Sequence, residues 1–268
     1  MPPTNPTSLQ RQLLDWADKS ANERHYRTAQ EQQIATALAN PRASALHVAA
    51  WMLGTSWHGY GQARVLRGES PGWDDVRVGQ ALLRCSLLLR ASRQDHRGRS
   101  LPAFTPVHGA QCILLGLALD DPHAEELHEL YATQPDPFFQ PSDALGLFVR
   151  ALLRLRAGER PVVTPRLGPY FELLTAWSSD PALFARKLVV VLDHHLTQSS
   201  GRGDFADPPL LLYPAEALAI VNVRTLLGLP TPKIEHPLLF TNLGQMRPVG
   251  PWPRDPLVSR IEQVLARR

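Results

Sequence analysis

The residues best placed to do chemistry are Asp193, His194 and His195, at the end of an apolar helical run, followed at short range by Asp204 and Asp207. Imidazole and carboxylate together can act as a general base or hold a metal ion that activates water. That would make the chain a metal-assisted helical hydrolase. Helix geometry limits this reading, because adjacent residues diverge by about 100° and only one of two neighbouring histidines faces a given site. No third ligand is fixed by spacing. The expectation is that one histidine packs at the helix end, where the dipole favours it, while the other meets water.

Other groups are weaker. His123 and His128, with Glu125 and Glu126 between them, have the residue types of a zinc-binding helix. Zinc helices place their histidines four apart on one face, whereas five apart they diverge by about 140°, so a solvated helix face is expected. Gly68-Glu69-Ser70-Pro71-Gly72 matches the letters of a nucleophile elbow, but Pro71 has no N–H to donate to an oxyanion, and a polar turn is expected. Arg202-Gly203-Asp204 is an adhesion tripeptide by letters alone, and glycine-rich phosphate loops are missing from the sequence. Trp51, Trp57 and Tyr60 could stack a ligand, but in an apolar helical run they are expected in the core.

The elements that must position these residues are helical almost throughout. Thr7 or Ser8 can cap a first helix carrying Leu9, Leu13 and Trp16 to about Ser20, and a second runs from about Thr28 to Leu38, stopped by Asn40-Pro41. Ser44 opens an apolar helix through Trp57, and Pro71-Gly72 breaks before another that reaches about Arg93. Further helices are expected over Val107–Leu119, from Asp121-Pro122 to Tyr131, from Pro141-Ser142-Asp143 to Arg156, and over Pro169–Ser178. Asp180-Pro181 should cap the helix through His195; the chain restarts at Asp207, and a helix from Tyr213-Pro214 stops at Gly228. Pro230–Pro253 reads as irregular and Pro256–Arg267 as a closing amphipathic helix. The fold class expected is all-α, an irregular multi-helix bundle of antiparallel helical hairpins. It forms a single all-helical domain over 1–268, and Arg160–Pro165 is the Pro-bounded linker at which it would part into helical subdomains 1–158 and 166–268.

Composition narrows the class. At 268 residues the chain can bury roughly 70–75% of its unfolded surface, so it needs no metal or disulfide staple. Hydrophobic residues at 44% and charged residues at 20% fit an ordinary globular protein. Cys85 and Cys112 lie in apolar helical runs and are expected as buried free thiols in a reducing compartment. The N-terminus has neither a basic nor an apolar leader region, and no apolar run reaches the roughly 20 residues of a membrane helix. A cytoplasmic protein with no membrane partner is expected. Of the 28 basic residues only Lys19, Lys187 and Lys233 are lysines, and the net charge of +3 is dispersed. Nucleic-acid binding would concentrate it beside stacking aromatics, so no nucleic-acid partner is expected. The densest basic stretch, Arg93–Arg99, reads as a solvated loop.

From Leu188 to Leu239 the chain runs from a His-containing helix end through a loop into Pro208-Pro209-Leu210-Leu211-Leu212-Tyr213-Pro214-Ala215-Glu216-Ala217-Leu218, then Leu226-Leu227-Gly228-Leu229-Pro230 and His236-Pro237-Leu238-Leu239. This module resembles the all-helical immunity proteins of bacterial polymorphic toxin systems, in particular the immunity 49 family. The resemblance implies a non-enzymatic protein without cofactor or metal that binds and neutralises a cognate protein toxin. Such a role needs a rigid scaffold with a few dominant anchors. The candidate partner-binding residues are Asp193, His194, His195, Arg202, Asp204, Asp207, Glu125, Glu126 and Glu129. The acidic members could form the local patch needed to imitate nucleic acid toward a nuclease toxin. A generic helical adaptor is the third reading.

Overall fold

The computed structural model describes residues 5–39, 46–92, 104–140, 142–201 and 203–267. Among them every regular element is helical, and the chain is an all-α multi-helix bundle. In order, α1 is Pro6–Ala17 and α2 is Ser20–Glu23, which continues through a π-helical turn, Arg24–Thr28, into α3, Ala29–Ala39. There follow α4 (Leu46–Leu66), α5 (Gly72–Ala91), α6 (Pro106–Leu119), α7 (Glu125–Ala132), α8 (Ala144–Arg156) and α9 (Tyr170–Thr175). The chain ends with α10 (Pro181–Gln198), α11 (Ala215–Leu226), α12 (Asn242–Gln245) and α13 (Pro256–Leu265).

Several boundaries differ from expectation for local reasons. Asn5, rather than Thr7 or Ser8, caps α1, its side-chain oxygen accepting from the Thr7 N–H at 2.9 Å. Asp180 caps α10 as expected, accepting from Leu183 at 3.1 Å. Helix does not resume at Asp207 but at Ala215, because Leu210 to Tyr213 enter the core as turns. Ser44, Pro41, Pro141, Arg202 and the Arg93–Arg99 stretch lie outside the described residues.

The chain divides into two compact units, Gln10–Thr105 with Pro248–Arg268, and Met1–Leu9 with Pro106–Arg247. Arg160–Pro165 therefore falls inside the latter. The turn it leads into, Pro165–Leu167, buries Leu167 beside α8.

In the unit containing α4 and α5, those two helices lie antiparallel with glycine opposite glycine. Gly54 meets Gly79 and Gly61 meets Gly72. Seven residues are nearly two helical turns, so each pair shares one face. A Cβ on Gly61 would sit 2.6 Å from the Gly72 carbonyl oxygen, and one on Gly79 2.7 Å from the His58 nitrogen. The backbones touch only because no side chain separates them. Ile34, Leu53, Leu82, Cys85 and Ile261 fill the core beside this crossing. Trp57 packs against that core while half-buried, with the Arg27 guanidinium 4.2 Å from its ring centre, so it serves as an amphipathic edge rather than full core. Arg77 of α5 holds the C-terminal stretch by donating to the carbonyls of Gly250 and Pro251 at 3.2 and 3.1 Å.

In the other unit, α6 is buried from Gly109 to Leu119 and packs on α11 and α8. Cys85 and Cys112 are both buried, as expected. Arg224 of α11 is buried, donates to the carbonyls of Trp177 and Pro230, and lies 3.8 Å over the Phe184 ring.

One histidine in each unit is held uncharged. His58 on α4 is fully enclosed and burial drives it down to about 3. Burial, helped by the nearby Arg156 charge, lowers His128 on α7 to about 4. His128 is therefore not on a solvated face, and His123 lies in the turn before α7. Between these values and the ordinary 6.5 the unfolded chain binds more protons than the folded one. Stability is full above pH 6.5 and is lost as the pH falls, by about 3 kcal/mol per histidine at pH 4. Thermal unfolding midpoints should drop between pH 7 and 4, and His128→Gln should flatten the drop of its unit.

Candidate functional site

The crowding flagged in the sequence resolves around α9, α10 and α11. The Asp180 cap and Pro181 start α10, whose buried stripe includes Leu188, Val191, Leu192 and His195. After α10 the chain folds back tightly. Ser199 donates its hydroxyl to the His195 carbonyl at 2.9 Å, and Phe205 N–H donates to Gln198 at 3.2 Å. Gly203 permits this turn, since a Cβ there would fall 2.1 Å from the Gln198 carbonyl oxygen. The return places the Phe205 ring flat on the His195 imidazole, with centroids 4.4 Å apart. The apolar Leu210–Tyr213 then carries the chain inward and sets Glu216 in the first turn of α11.

His195 Nδ1 and Glu216 Oε2 lie 2.5 Å apart, and both side chains have no exposed surface. Such a buried carboxylate is tolerable only with partners. It has three: the imidazole, the positive end of the α11 dipole, and the Tyr170 hydroxyl, whose oxygen is 3.5 Å from Oε1. Burial, and then the Glu216 charge, hold the Tyr170 phenol well above its ordinary value, so it remains a donor. Tyr170 also stacks on Phe148 at 4.1 Å. His195 Nε2 is buried without a hydrogen-bond partner.

The five residues of the hydrolase reading go to different places. Asp193 is exposed and accepts from His236 Nε2 at 3.3 Å, whereas His195 points into the core. His194 is half-buried, edge-on to the Tyr170 ring at 6.0 Å, and burial lowers its pKa. Asp204 is half-buried, and burial raises its carboxyl. Asp207 is exposed. Among the described residues no three His, Cys, Asp or Glu side chains form a group able to hold a metal ion. A histidine on a carboxylate is the base and orienting half of a catalytic triad, but neither group exposes any surface here. The pair is a brace joining α10 to α11.

Of the partner-binding candidates, His195 offers no surface and is corrected to a core residue, because its position on α10 faces α11. Arg202 lies outside the described residues. Glu126 and Glu129 are exposed on α7, while Glu125, also exposed, pairs with Arg156 at 2.9 Å. Sequence reasoning passed over Glu216, Tyr170 and Phe205 as site residues. The available signal was Glu216 itself, the one carboxylate in the apolar run Leu210–Ile220, where an ionisable group must find a partner.

Among the described residues no helix is long and apolar enough to cross a membrane. No family model, curated protein or solved structure matches the chain.

Proposed function

We propose that this chain is an immunity protein that binds a cognate antibacterial toxin and blocks it without catalysis. The observation that carries the reading is the enclosure of the His195–Glu216 pair. The ionisable crowding of the resembling module acts as an internal brace, so its chemistry is spent on shape. What remains outward is a helical framework presenting Asp193, Asp207, Glu126 and Glu129. Rigid elements with exposed polar side chains suit docking, because little order has to be imposed on binding.

Co-expression with the product of the neighbouring gene should rescue growth from that product's toxicity, and the purified pair should co-elute as a stable complex. If neither adjacent reading frame is toxic, or the toxic one does not bind, the reading is abandoned.

A further inference from the structure

A second feature of the unit containing α8 has no part in the brace. On α8, Leu147, Arg150, Ala151 and Arg154 follow helical spacing and line a solvent-open cavity of about 190 Å³, together with Leu167, Thr164 and the exposed Asp136, Val162 and Arg166. The cavity is smaller than the roughly 300–1,000 Å³ of sites for drug-sized ligands. It suits a compact ion or the end of a small molecule.

Its charge is not balanced from within. Asp136 accepts from Arg150 at 2.8 Å, and the Arg150 guanidinium also lies 4.4 Å over the Phe139 ring. Arg166 donates to the neutral carbonyl of Phe139 at 3.1 Å. Arg154 is half-buried on the same lining, and among the described residues it makes no side-chain ion pair. Three guanidiniums against one carboxylate leave a surplus of two positive charges. Guanidiniums are forks that recognise oxyanions in two-point fashion. A carboxylate would neutralise one of the surplus charges, whereas a phosphoryl group carries about −1.5 to −2 at pH 7. The apolar floor of Leu147, Ala151 and Leu167 leaves room for a short organic substituent.

We propose that this cavity is a binding site for a dianionic phosphoryl group, either free phosphate or a small phosphomonoester, held by Arg150, Arg154 and Arg166. The site does not depend on the toxin-binding reading.

Calorimetric titration of the full chain at low salt with inorganic phosphate, glycerol 2-phosphate and acetate tests it. Phosphate should bind saturably with a dissociation constant below about 1 mM, and binding of the ester should weaken as the pH falls through about 6, where it loses its second charge. Tighter binding of the ester assigns the site to a phosphomonoester, and equal binding assigns it to the free ion. Arg154→Gln, which breaks no ion pair among the described residues, should lower affinity at least about tenfold with an unchanged circular dichroism spectrum. The proposal is overturned by no saturation at about ten times that concentration. It is also overturned by equal affinity for acetate, which a carboxylate-receiving surface would give, or by undiminished binding to Arg154→Gln.

Discussion

Replacing Glu216 by alanine should cost this protein about 3–5 kcal/mol, the loss typical of breaking one side of a buried polar pair. The residual His195 would then have neither ring nitrogen satisfied, since its Nε2 already lacks a partner in the intact fold. His195→Ala should cost a similar amount and also leave the Phe205 face uncovered. The double replacement His195→Leu with Glu216→Leu should lose much less than the sum, because no ionisable group remains stranded in the core. A double-mutant cycle from denaturant unfolding, completed by the single His195→Leu and Glu216→Leu variants, reads the coupling directly. Additive losses would mean that the 2.5 Å contact contributes nothing as a pair.

The next largest loss is expected from single methyl additions at the α4–α5 crossing. Gly61→Ala and Gly79→Ala place a Cβ against backbone at 2.6 and 2.7 Å, and backbone cannot rotate aside. Overpacking of this kind costs about 1–3 kcal/mol, and the upper end is expected because both colliding groups are main chain. Gly158→Ala is the control. Its φ of +76° is unfavourable for alanine but no atom lies within 4 Å, so only the left-handed backbone cost of roughly 1–2 kcal/mol applies. Unfolding midpoints for the three variants should place Gly158→Ala above both others. If Gly79→Ala proved the mildest, the helices would have to sit farther apart than described.

These two sites show what was legible in the sequence and what was not. The helices were, because apolar periodicity and prolines act over a few residues: Asp180-Pro181 starts α10, and α11 stops before Gly228, whose φ is +68°. That one histidine of His194 and His195 would be buried also followed from the 100° offset. Which group would meet His195 did not, since Glu216 stands 21 residues away and the intervening turns set its approach. Pairing of Gly54 with Gly79 and of Gly61 with Gly72 needs the register between two helices, which neither helix encodes alone. The solvated face expected for His128 failed for a related reason, as α7 begins at Glu125 and turns that histidine inward. The division of the chain likewise depends on residues 248–268 returning to α5 through Arg77 and through Arg84 with Glu262, at 3.2 Å. The proline-bounded stretch at 160–165 gave no hint of that.

Direct binding to the adjacent gene's product tests most closely the proposal that this folded framework holds another protein. Mixing the two purified chains should give a complex that survives gel filtration and abolishes the toxin's activity. That inhibition should persist in the His195→Leu, Glu216→Leu double variant wherever it remains folded, because those side chains expose no surface. A neighbour that is harmless or unbound would contradict the account, as would turnover of a substrate by the isolated chain that disappears with the same double variant.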